Sequence, residues 1–193
     1  MLKRITFYTT VFSCIFLLTS YELPTGWFKS GTEFEKYDIG MDKNAGIDGN
    51  NAATIKSIEK EIKGYGCIMQ RCLPGKFLVK RVRMSAFVKS ENVADKAGLF
   101  FRADKEGSES ALSFDNMYKR PIKGTTKWQQ YQIVIDITPD ASVLSYGAIL
   151  YGTGQIWIDK LKFEIVDKSV PTTGEGNDYS LPEMEPSNLD FEN

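Results

Sequence analysis

From Gly26 to about Val166 the chain is a succession of short apolar or alternating runs separated by Gly, Asn, Asp and Pro. The clearest is 80–90, where Val82, Met84, Ala86 and Val88 alternate with Arg81, Arg83, Ser85 and Lys89. Alternation with period two is the signature of a strand buried on one face. Tyr131, Ile133, Ile135 and Ile137 alternate with Gln130, Gln132 and Asp136 in the same way. These patterns predict strands at 37–41, 53–58, 67–71, 80–90, 97–103, 111–115, 129–138, 144–151 and 155–166. No segment reads as a long amphipathic helix, and the β-branched residues between Ile55 and Ile62 suit a strand as well as a helical turn. Many short strands with turn residues between them predict an all-β, jelly-roll-like antiparallel β-sandwich over 24–167.

The last of these runs changes parity. Ile156 and Ile158 share one face, whereas Leu161, Phe163 and Ile165 share the other. Both sets reach a core only across a bulge near Asp159-Lys160. Gly152-Thr153-Gly154 reads as a hairpin turn, since no helix follows it to cradle a phosphate.

The two ends are of a different character. Met1-Leu2-Lys3-Arg4 and the uncharged apolar stretch 5–18 have the layout of a secretory signal peptide over 1–20, too short for an ordinary membrane span. Leu18 stands where cleavage prefers a small residue. Tyr21 stands where a lipoprotein would carry its lipidated cysteine. A secreted protein, an uncleaved N-terminal anchor and a lipoprotein that has lost its cysteine all fit, and each places the domain outside the cytoplasm, secreted or at the cell envelope. Residues 168–193 carry Glu175, Asp178, Glu183, Glu185, Asp190 and Glu192 together with three prolines, which predicts a solvated tail.

Composition narrows the chemistry. With 42% hydrophobic and 25% charged residues the chain is of globular type, and a net charge of -1 offers no bulk attraction to nucleic acid. There is no histidine, which removes Ser-His-Asp and Cys-His catalysis and every imidazole metal site. No spacing singles out a pair of carboxylates, so no catalytic residue is assigned; Tyr, Lys and Arg leave only histidine-free lyase chemistry. Cys67 and Cys72, if in one strand, have Cα atoms about 16 Å apart. A disulfide needs about 7 Å or less, so they pair only if the strand ends between them.

Six stretches, in order, resemble the galactose-binding-like jelly-roll modules, relatives of carbohydrate-binding modules that accompany secreted bacterial hydrolases and some regulators. They are GWFKSG (26–31), YDIGMD (37–42), KRVRMSAFVKSENV (80–93), AGLFFRAD (97–104), FDNMYKRPIKGTTKW (114–128) and GTGQIWIDKLKFEIV (152–166). The resemblance implies a non-catalytic binding module for carbohydrate, such as an envelope glycan. The other reading is a structural or protein-interaction module that packs against a catalytic or sensor domain. Such modules usually open with a segment like NLDFE; here Asn188-Leu189-Asp190-Phe191-Glu192 stands at the C-terminus instead. It is either the start of a further module or a strand that folds back. No cofactor is implied beyond a structural calcium ion. Asp159-Lys160, where relatives often have paired aspartates, weighs against that ion.

Parity selects a binding face. Phe100 and Arg102 project from one side of their strand while Leu99 and Phe101 project from the other. With Asp115, Asn116, Met117, Arg120 and Lys123 downstream they form a candidate sugar site: the ring covers a pyranose face and the polar groups fork onto hydroxyls. The competing structural reading pairs Arg102 with Asp115 as a clamp between strands. Trp128 is the further candidate platform, with Trp27 and Trp157 as core or platform.

Overall fold

The computed structural model of the protein describes residues 20–108 and 110–174. Nine strands run in chain order: β1 (Phe28–Ser30), β2 (Tyr37–Asp42), β3 (Ala52–Ser57), β4 (Tyr65–Cys72), β5 (Lys80–Asp104), β6 (Ala111–Asp115), β7 (Ile122–Ile137), β8 (Val143–Tyr151) and β9 (Gln155–Val166). All pairings between them are antiparallel. The fold is an all-β antiparallel sandwich.

β5 belongs to both layers. Its first half, Lys80 to Glu91, pairs with β7 and β9, and β9 continues through β3 to β2. Its second half, Lys96 to Asp104, pairs with β8 and β6, and β8 continues through β4 to β1. The two predicted strands 80–90 and 97–103 are therefore one strand of 25 residues with a corner in it. At the corner the register with β7 shifts repeatedly between Val88 and Ala97, and Asn92 takes a left-handed φ of 52°. Asn tolerates that conformation better than most residues, because its short amide bonds locally. Val82, Met84, Ala86 and Val88 from one half and Leu99, Phe101 and Ala103 from the other meet in one core. Phe101 is fully buried there, edge-on to Phe163 with ring centroids 5.3 Å apart.

The parity change in β9 is resolved as its sequence demands. Phe87 faces Asp159 but Ser85 faces Lys162, so β9 carries an extra residue, and Lys160 turns to a φ of 52°. Ile156 and Ile158 are buried in the core, and Leu161 and Phe163 pack against it; Ile165 stays exposed. The Gly152-Thr153-Gly154 turn is not a hairpin. β8 and β9 do not pair, so this turn carries the chain from one layer to the other. β4 runs unbroken from Tyr65 to Cys72, and both of its cysteines are free.

After β9 the chain runs on as a strap. Arg81 donates to the carbonyls of Lys168 and Val170, each at 2.7 Å, while its Nε and Nη2 fork onto Asp136 at 2.9 and 2.8 Å. The Thr173 N–H reaches the Val134 carbonyl at 3.0 Å. The predicted leader and the NLDFE segment lie outside the described residues.

Arg81 has a consequence for acid stability. Its hydrogen bonds and charge hold the Asp136 carboxyl below its ordinary value of 3.8. A depressed folded value means the stabilisation is complete above the unfolded value and is lost as pH falls through the folded one. Asp136→Asn is expected to lower the unfolding midpoint at neutral pH by a modest amount, since Asp136 is partly exposed. The difference should close progressively below about pH 4. Thermal scans of both proteins from pH 7 to pH 2 would detect a gap that fails to close.

Candidate functional site

The outer face of the β1–β4–β8–β5 layer collects side chains that alternate with the core. Register places them in rows. Tyr65, Tyr151 and Lys96 form one row; Ser30, Cys67, Ile149 and Gly98 the next; Phe28, Met69, Gly147 and Phe100 the third. Arg71, Ser145, Arg102 and Phe114 form the fourth.

Cys67, Met69, Phe100 and Ile149 make a small second core on this outer face, with Tyr65 and Tyr151 packed against it. They act as a floor. Burial in it pushes the Cys67 thiol up to about 11, so the sulfur stays a neutral packing group at physiological pH. Gly98 and Gly147 keep the middle of the floor low. A β-carbon on Gly147 would lie 2.0 Å from the Ile68 carbonyl oxygen, and one on Gly98 would lie 3.1 Å from Cβ of Met117.

Taller groups stand around this floor. Phe28 is 37% exposed, Phe114 41% and Tyr118 63%. Tyr65 and Tyr151 have ring centroids 5.0 Å apart. The Lys96 ammonium lies 4.4 Å from the Tyr118 ring and 4.7 Å from that of Tyr151, a cation–π clamp at one end. At the other end Arg71 lies over Phe28 and Arg102 over Phe114, at 5.8 and 6.0 Å. Flat rings beside forked and single donors are what a polyhydroxylated ring with apolar C–H faces requires.

The residues singled out in sequence divide between this face and elsewhere. Phe100 and Arg102 project to it as parity predicts, with Leu99 and Phe101 in the main core. Phe100, however, is floor, not an exposed platform: it is only 8% accessible. Arg102 donates from Nε to Asp104 at 2.6 Å, so the predicted Arg102–Asp115 clamp does not form. Asp115 faces the opposite way, since its register partner is core-facing Phe101. It is buried and bonded to the Arg120 guanidinium, to the Met117 N–H at 2.8 Å and to the Thr173 hydroxyl at 2.6 Å. Arg120 also donates to the Thr173 and Gln132 carbonyls at 2.9 and 3.1 Å, which makes it a clamp on the terminal strap.

Met117 is buried in the main core, at a φ of 58°. Asn116 lines a small notch with Lys96, Tyr118, Ile149 and Tyr151 at the edge of the face. Lys123 is exposed at the start of β7, away from Phe100 and Arg102 in the rows. Trp128 belongs to neither: it shares Lys89 with Trp157, at 5.6 and 4.0 Å, on the outer side of the other layer. Trp157 there donates its Nε1 to Asp42 at 2.8 Å, and Trp27 packs edge-on to Tyr146.

Residues not singled out in sequence complete the face: Phe28, Tyr65, Arg71, Lys96, Tyr118, Ile149 and Tyr151. The alternation of Tyr65, Cys67, Met69 and Arg71 is the one signal that could have found part of it. β8 offers none, because 144–150 is buried on both sides.

A cavity of about 200 Å³ lies elsewhere, between the layers beside Pro24, Trp27, Met41, Ala53, Ile68 and Leu161. Its lining is apolar, and the charges at its mouth are already used. Asp159 accepts from the Ile47 N–H at 3.0 Å, and Lys160 pairs with Asp48. These residues do not fit a calcium ion, since the Lys160 ammonium stands beside Asp48 where a cation would be held. Among the described residues no group of three or more acidic or cysteine side chains is placed to hold a metal. No helix among them is long and apolar enough to cross a membrane.

Comparison with known proteins places the fold. The chain is 38% identical over 168 residues to the HTH-type transcriptional regulator YbfP of Bacillus subtilis (strain 168), a match that covers 86% of this chain and 56% of that regulator. The chain thus spans little more than half the length of this relative. Among solved structures, the CBM22-1 xylan-binding domain of Paenibacillus barcinonensis Xyn10C superposes with a TM-score of 0.54 over 77% of this chain and 90% of that domain, at 14% identity. The enzymatically active domain of bacteriophage CBA120 tailspike protein 4 gives a TM-score of 0.56 at 11% identity, over 74% of this chain and 20% of that one. No protein-family model matches the chain. The fold is that of the jelly-roll carbohydrate-binding modules, as the six stretches implied.

Proposed function

We propose that the sandwich is a non-catalytic carbohydrate-binding module working outside the cytoplasm, with its ligand on the outer face of the β1–β4–β8–β5 layer. One observation carries this reading: a low floor of Phe100, Met69, Cys67 and Ile149 is edged by Tyr65, Tyr151, Tyr118, Phe28 and Phe114, with three cations among the rings. Rings of that kind cover the C–H faces of sugars, and the cations supply directional donors. The solved modules of like fold support the choice of ligand class. The basic, apolar leader supports the location.

A second reading has its own support. The 38% identical relative is a longer protein named as a regulator, so the domain would serve as the sensor or interaction unit of a larger assembly. The two readings share a ligand class if the sensed molecule is a sugar, and differ in where the domain works.

Thermal unfolding of the full chain against a panel of neutral and acidic oligosaccharides tests the proposal. A ligand of the folded state at 100 times its Kd should stabilise it by about 2.7 kcal/mol. Tyr118→Ala is the variant of choice, because Tyr118 is well exposed and its loss leaves the floor intact. Loss of the sugar shift with an unchanged ligand-free midpoint is the expected result. A folded protein that responds to no saccharide would sink the carbohydrate reading and leave the interaction module.

A further inference from the structure

The chemistry of the fourth row narrows the ligand class, on the premise that the face binds sugar. Arg71 on β4 and Arg102 on β5 are both register partners of Ser145 on β8. Their Cα atoms are therefore about 10 Å apart, two strand spacings, and project to the same side. Arg71 is exposed and rests against the Phe28 ring, with no ion pair among the described residues. Asp104 takes only the Nε of Arg102, so both terminal nitrogens of that guanidinium have no partner among the described residues. Ser145, between them, is buried. Lys96 adds a third cation at the far end of the face. None of the four rows holds a carboxylate; Asp104, already engaged by Arg102, stands one row beyond them, opposite Val143.

Two guanidiniums with open forks, 5.8 and 6.0 Å from the centroids of aromatic rings, suit an acidic sugar better than a neutral one. Arg presents two parallel N–H donors that match the two oxygens of a carboxylate, while hydroxyls are served equally well by amides. The neighbouring phenyl rings lower the local dielectric, which strengthens a charge-assisted bond over one in open water. We infer that the glycan recognised on this face is acidic, a uronate-bearing chain whose carboxylates dock on Arg71 and Arg102 while its rings lie on Phe28 and Phe114.

The test is a calorimetric titration of the full chain with oligogalacturonate, with a glucuronate-bearing xylo-oligosaccharide, with the methyl ester of each, with neutral xylo-oligosaccharide, and with polyglutamate. At least one free acid is expected to bind about tenfold or more tightly than its ester. Arg71→Ala and Arg102→Ala should each remove about tenfold of that affinity, and Arg71→Lys should restore only part of it, because an ammonium has no fork. The ligand-free midpoint of the Arg71 variants should not move. Equal binding of acid and ester, or preference for the neutral sugar, overturns the inference and leaves the carbohydrate module standing. Polyglutamate binding as tightly as the uronates also overturns it, as charge attraction without sugar recognition. Binding of no saccharide at all overturns both.

Discussion

Phe101→Ala is expected to destabilise the protein by about 3–5 kcal/mol, the range for removing a buried aromatic ring. Phe101 is fully buried at the point where the second half of β5 meets Phe163 of β9, so its ring joins the two layers. The neighbours that would have to fill the gap are strand residues pinned by ladders on both sides. Collapse is therefore limited, and the cost should lie near the upper end. In a chain of this size each kcal/mol moves the midpoint by about 2–4 °C. A shift under about 3 °C would mean that the layers do not depend on this contact. Phe101→Leu, which keeps most of the volume, should recover more than half of the loss.

Arg120→Ala is the second large effect. It would leave the Asp115 carboxylate buried with only the Met117 N–H and the Thr173 hydroxyl as partners. Breaking a buried ion pair in this way costs about 3–5 kcal/mol. The Arg120 side chain is 37% exposed, so water screens part of the charge and about 3 kcal/mol is expected. The same change removes the donor to the Thr173 carbonyl, so the strap should loosen before the sandwich does. Hydrogen exchange separates these effects: the Thr173 amide, which bonds the Val134 carbonyl, should exchange faster than the β5 amides. Unchanged exchange at Thr173 together with an unchanged midpoint would contradict the clamp.

What could be read from the chain and what could not follow from the range of the forces involved. Alternation in 80–90 and 129–138 is a local record of one buried face, and both strands form there. The bulge at Asp159-Lys160 was legible for the same reason, since a change of parity has few structural solutions. The corner of β5 was not: Ser90-Glu91-Asn92 has turn composition, yet the strand runs through it, because β7 and β9 hold Ser90 on both sides and Asn92 alone turns left-handed. β1 is three residues long, too short for any pattern to register, and it owes its existence to pairing with β4.

The site divides in a similar way. Parity alone put Phe100 and Arg102 on the side of β5 away from the main core, where the structure has them. Arg102 chose Asp104, two residues along its own strand, over Asp115, whose side chain lies on the opposite side of the sheet with Phe101. The left-handed turn at Met117 then brings Arg120 back onto Asp115 within five residues. Neither outcome is encoded in spacing. The tyrosine end of the face depends on which strand lies beside which, and pairings such as Tyr65 with Tyr151 join positions far apart in the chain.

The long corner strand also bears on how the protein is made. During synthesis β5 leaves the ribosome before any of its partners, since β6, β7, β8 and β9 all follow it. At about 10 residues per second, several seconds pass between the appearance of Asp104 and that of Val166. For that interval a 25-residue strand of high β-propensity has no neighbour, which is the setting in which chains associate with one another. Lys80, Arg81, Arg83, Lys89, Glu91, Asp95, Lys96, Arg102 and Asp104 punctuate it, and Lys96 and Arg102 flank its uncharged run at 97–101. Arg102 on this view serves twice, as a guard on the nascent chain and as part of the face that later meets the ligand.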